Sequence, residues 1–89
     1  MLSNIHPKYR LGVHPKNEGS RSFVNSMIDG HVATIVDLEV GKRGWFVVLV
    51  DDDYWERIHT SIVEDVEVKD GGSVKLTTHN TVYIFDKIN

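Results

Sequence analysis

The sequence predicts an all-β fold, a small, mainly antiparallel SH3-like barrel of about five or six strands with an extended N-terminal arm. Two observations lead there. Short runs rich in β-branched and aromatic residues, such as HVATIVDLEV (31–40) and WFVVLV (45–50), recur along the chain. Gly, Asp and Asn punctuate them at roughly eight-to-twelve-residue spacing. An OB-like barrel would use the same ingredients.

Residues 1–20 contain both prolines of the chain and little apolar periodicity, so they read as an extended arm or ordered loop ahead of a single barrel domain over residues 21–89. The triplet His-Pro-Lys occurs there at His6 and again at His14, too short a match for a repeat architecture. In the stretch Ser20 to Gly30, Phe23, Met27 and Ile28 sit at helical offsets, which a short helix would satisfy. A strand follows over His31–Val40, closed by the turn Gly41-Lys42-Arg43-Gly44, and WFVVLV forms the next. Asp51-Asp52-Asp53 reads as a solvated hairpin tip, because three consecutive carboxylates cannot converge on one cation. YWERIH (54–59) resumes the sheet. Thr60-Ser61 predicts a kink or a single helical turn before the strand IVEDVEV (62–68), which ends at Asp70-Gly71-Gly72. Ser73–Thr78 and Thr81–Phe85 form a terminal hairpin around His79-Asn80.

Strand alternation assigns faces. Trp45, Val47 and Leu49 share one side and Phe46, Val48 and Val50 the other, so this strand is apolar on both; Val82 and Ile84 against Tyr83 and Phe85 repeat the pattern. One small barrel has one interior. The second face needs a cover from the arm, from residues 20–30, or from another subunit, and a homo-oligomer is the expectation.

A chain of 89 residues supports one core, and burying only about 60–65% of its unfolded surface makes that core marginal. Cysteine is absent, which excludes disulfides and thiolate metal sites. The five histidines, at positions 6, 14, 31, 59 and 79, lack metal-ligand spacing, so neither a metal nor a cofactor is expected. A net charge of −3 argues against binding long DNA or RNA but leaves room for a small phosphorylated ligand held by a few arginines. No apolar stretch is long enough to span a membrane, and Met1 to Arg10 lacks the layout of a signal peptide; a reducing cytoplasm is the expected compartment.

The strand YWERIH places Trp55, Arg57 and His59 on one face. Tryptophan offers a flat surface to a base, arginine a planar fork to phosphate, and histidine a further donor or stacking group. Thr60 and Ser61 follow with hydroxyls, and Arg43 and Trp45 across the preceding hairpin extend the patch. A half-buried edge strand with a packed Trp and an extended Arg accounts for the same residues without a ligand. Ser20-Arg21-Ser22 is a second anion candidate, where Ser20 or Ser22 also reads as a plain helix cap. Thr77, Thr78, Asn80 and Thr81 offer polar contacts to a base edge or serve as ordinary turn residues. No phosphate-binding loop, nucleophile elbow or dinucleotide fingerprint is present, and the reading is non-enzymatic.

From Gly30 to Phe85, the succession GKRGWF, WERIHTSIVEDV and VKLTTHNTVYIF resembles small β proteins encoded by bacteriophages. The likeness rests mainly on Trp55, Arg57, Thr60, Ser61 and the run from Thr78 to Tyr83. Among such proteins, the anti-CBASS sponges fit the residues above. That resemblance implies an oligomer in the host cytoplasm that sequesters a cyclic dinucleotide, with Trp55 or Trp45 stacking on bases, Arg57 with Arg43 or Arg21 on phosphate, and His59, Thr60 and Ser61 in polar contacts. An inhibitor or adaptor docking on a host protein through its acidic and aromatic surface is the alternative.

Overall fold

The computed structural model describes residues 7–16, 28–51 and 54–88. Within them the alternating runs become six strands: β1 (Tyr9–Pro15), β2 (Val32–Asp37), β3 (Arg43–Leu49), β4 (Trp55–Val68), β5 (Val74–Thr78) and β6 (Thr81–Lys87). Each strand pairs antiparallel with its sequence neighbours, and β6 pairs with β1 to close the barrel. No helix among the described residues is long and apolar enough to cross a membrane.

Closure rests on a strand within the segment predicted to be an arm. Tyr9–Pro15 is extended, as expected, but it is a barrel strand that pairs with β6 along its whole length and with β2 at Tyr9↔Ala33 and Arg10↔Val32. The barrel therefore begins well before residue 21. Tyr9 and Leu11 point inward and are buried, Val13 packs against the core, and Arg10 and His14 face out. This period of two is present in the sequence, masked by Gly12 and Pro15. Pro15 is tolerated because it is the last residue of the strand.

β4 runs unbroken through Thr60-Ser61, so the predicted kink or helical turn is replaced by continuous strand. Its first part, Trp55 to Ile62, pairs with β3; its second, Val63 to Val68, pairs with β5. Register shifts at Arg43/Trp45 and Val63/Asp65 flank this change of partner. Bulges of this kind raise local twist, which lets one long strand bend around the barrel. At Gly44 the strands meet closely: a Cβ there would lie 3.0 Å from Leu38 Cδ2 and 3.2 Å from Val63 Cγ2. Glycine is needed for that approach.

The interior is filled by aromatic and aliphatic side chains. Phe46 lies edge-on to Phe85 at 5.2 Å and to Tyr83 at 5.4 Å, and Tyr9 to Phe85 at 5.8 Å. Leu11, Leu76, Val48 and Val63 complete the layer. Ile28 joins it from the β1–β2 connection, held where the Gly30 amide donates to the Leu11 carbonyl and the Val13 amide to Asp29 Oδ1. The rest of the stretch expected to form a short helix, residues 20–27, lies outside the described residues. So do Asp52 and Asp53 of the predicted hairpin tip.

The outer apolar positions of β3 are covered in part by the chain itself. Val47 is 7% exposed. Its β2 neighbour Thr34, opposite it in register, is also buried and donates its hydroxyl to the Pro7 carbonyl, so the N-terminal segment lies over this point. Leu49, Val82 and Ile84 remain half-buried.

Candidate functional site

The β3–β4 hairpin sets the register of the outer face. The Val50 amide donates to the Tyr54 carbonyl and the Tyr54 amide to the Asp51 carbonyl, closing the loop. From there Leu49 pairs with Trp55, Val47 with Arg57 and Trp45 with His59. These pairs alternate with Val48↔Glu56 and the buried Phe46↔Ile58, so the three outward pairs form consecutive rows on one surface.

Trp45, Arg57 and His59 are brought into contact. The Arg57 guanidinium carbon sits 4.9 Å from the Trp45 ring centroid. The His59 ring lies nearly parallel to the indole, at 25° and 6.1 Å. At an exposed site a cation over an indole contributes about 0.5–1 kcal/mol, enough to bias the arginine's posture. Among the described residues Arg57 has no hydrogen-bond or ion-pair partner. Its guanidinium thus lies over an aromatic surface with no such partner among the described residues, and a planar fork of this kind receives phosphate or carboxylate in two-point fashion. Trp55 lies on the same face, in the row beyond Arg57.

The other predicted contacts are distributed differently. Thr60 is turned into the barrel and is 1% exposed; its hydroxyl accepts from the Gly44 amide at 2.9 Å and donates to the Ser61 carbonyl. This corrects the expectation that Thr60 contacts a ligand: strand alternation points it inward, and the bulge at Gly44 uses its oxygen. Ser61 Oγ accepts from the Asn80 amide at 3.3 Å, tying β4 to the β5–β6 tip. Arg43 is exposed but its Nε donates to the Thr60 carbonyl at 2.9 Å, beside the platform and not in contact with its rings. Arg21, with Ser20 and Ser22, lies outside the described residues. Thr78 and Thr81 are buried and close their own turn, with the Thr78 hydroxyl donating to the Thr81 carbonyl and accepting from its amide.

Residues not singled out from the sequence also shape the surface. Opposite Arg57 lies the buried Val47 and opposite Trp55 the half-buried Leu49, and Asp37 pairs with Trp45 from the β2 side. Nearby Lys42 is engaged: the hydrogen bond its ammonium donates to Glu39, then that carboxylate's charge, hold it above the usual lysine value. Glu56 accepts from the Tyr54 hydroxyl at 3.0 Å, which raises the tyrosine above its ordinary value. No group of three or more His, Asp or Glu side chains that could hold a metal ion occurs among the described residues.

Comparisons of the chain with protein-family models, with curated proteins and with solved structures give no match.

Proposed function

We propose that this chain is a non-enzymatic binding protein whose outer β3–β4 face takes a small phosphorylated ligand bearing a flat base, such as a cyclic dinucleotide, and sequesters it. The observation that supports this reading is the Arg57 guanidinium, without a hydrogen-bond or ion-pair partner among the described residues, lying over the Trp45 ring beside His59. Phosphate meets the arginine fork, while the base lies against the indole and imidazole. The barrel interior is occupied by Phe46, Phe85, Tyr83 and Leu76, so the outer surface is where a ligand has room. In biological terms this is a phage-encoded sponge countering CBASS-type defence, the class that the Gly30–Phe85 pattern resembles. A sponge needs tight stoichiometric binding and cleaves no bond.

Thermal-shift measurement against cyclic di- and mononucleotides tests the reading. At a ligand concentration of about 100 times Kd, binding adds about 2.7 kcal/mol, which in a domain of this size raises Tm by about 10–20 °C. Ligand recovered after denaturing the complex is expected intact; a linear product would identify a phosphodiesterase instead. An unchanged Tm across all nucleotides would overturn the reading and favour docking on a host protein.

A further inference from the structure

Resting on that reading, we infer that a single protomer offers two aromatic stations separated by one phosphate position, and that its ligand is an opened dinucleotide with one base at each end. The three outward rows are Trp45–His59, Val47–Arg57 and Leu49–Trp55. Two residues of strand separate each row from the next, about 6–7 Å, so the backbones of the Trp45 and Trp55 rows stand about 13 Å apart with the Arg57 row between them and its guanidinium carbon drawn to 4.9 Å from the Trp45 ring centroid. The order along the surface is aromatic, cation, aromatic.

That order selects among ligands. Neighbouring stacked bases lie about 3.4 Å apart along a strand, far short of the gap between the two tryptophan rows. A mononucleotide reaches one row and the arginine, and leaves the other tryptophan uncovered. A dinucleotide with its bases turned away from each other reaches both rows and places its phosphate linkage at Arg57. Half-buried Leu49, opposite Trp55, supplies apolar surface for a sugar or base edge at that station. Longer polyanions are disfavoured, because Asp51 follows the Leu49–Trp55 row at the hairpin loop and Asp37 flanks Trp45. Both carboxylates repel further phosphates.

Trp45 and Trp55 are the only tryptophans of the chain, so intrinsic fluorescence reads each station once the other is replaced by a silent ring. The experiment titrates wild type, Trp45→Phe and Trp55→Phe with cyclic di-AMP, linear pApA, AMP and a ten-nucleotide oligoadenylate. A dinucleotide is expected to quench the remaining tryptophan in each variant at a stoichiometry of one per chain, and to bind wild type at least tenfold more tightly than AMP. Equal affinity for AMP, quenching confined to one tryptophan, or tighter binding of the decamer would each overturn the two-station arrangement while leaving a nucleotide-binding face intact. The comparison of dinucleotide with AMP uses unaltered protein and does not depend on the variants folding. Absence of any nucleotide response would remove the underlying function as well.

Discussion

Thr60 and Arg57 stand three residues apart on one strand and take opposite roles because alternation and a bulge separate them. Replacing the buried Thr60 hydroxyl by the isosteric Thr60→Val leaves the Gly44 amide without its acceptor. The expected cost is about 1–3 kcal/mol in urea unfolding, with ligand affinity unchanged. Gly44→Ala is expected to cost a similar amount, about 1–3 kcal/mol, since its methyl would crowd Leu38 and Val63 where the backbone also closes in. Arg57→Lys keeps the charge and loses the planar fork; we expect stability within about 0.5 kcal/mol of wild type and nucleotide affinity lowered at least tenfold. The sequence shows which residue types can stack and which can bind phosphate. Whether a given hydroxyl faces a ligand or repairs a bulge depends on register shifts that residue identities do not encode, which is why Thr60 reads as a contact until the fold is known.

At the level of elements, β2, β3, β5 and β6 are legible because each carries β-branched or aromatic residues between turn formers, as are the two halves of β4 but not their continuity through Thr60-Ser61, and the terminal hairpin lies where Asn80 predicts its turn. β1 is not, since Gly12 and Pro15 resemble loop chemistry and hide the inward series Tyr9, Leu11, Val13. Its membership of the barrel has a measurable consequence: Leu11→Ala is expected to destabilise the fold by about 2–5 kcal/mol, whereas a residue of a detached arm would tolerate the change. A second joint ties β1 to β4 and the β5–β6 tip. Lys16 Nζ lies 2.8 Å from Glu64 Oε1, and His79 Nδ1 lies 3.5 Å from Glu64 Oε2. The hydrogen bond from Lys16 is the main cause that holds the Glu64 carboxyl below its usual value, against the opposing effect of desolvation, which ranks next; the Lys16 charge and His79 add to the lowering. A depressed carboxylate contributes stability that is present above its unfolded pKa and is lost as pH falls through the folded one. The Tm advantage of wild type over Glu64→Gln is therefore expected at neutral pH, to begin falling as pH drops through the ordinary glutamate range of about 4.3, and to be lost once pH has fallen through the lower folded-state pKa. Because all three groups are exposed, high salt is expected to shrink it.

The whole molecule is a barrel closed by β1 against β6, with its interior packed and its distinctive chemistry on the outside of one hairpin. Two-sided apolarity, which from the sequence alone calls for a cover, is met in part within one chain: Val47 is buried, and Thr34 beside it is bound by the Pro7 carbonyl. Closure and cover are both products of long-range pairing, so neither is visible in local patterns. Carboxylates outnumber basic side chains, and against that background a guanidinium without a counter-ion among the described residues stands out. Both tryptophans sit on the same face as that guanidinium, which makes their emission a direct reporter of it. The most direct measurement is a fluorescence titration of wild type and Arg57→Ala with cyclic di-AMP. A nucleotide-binding β3–β4 face predicts saturable quenching in wild type and at least a tenfold weaker response in the variant; no quenching at millimolar ligand, or equal affinity in the two proteins, would contradict it.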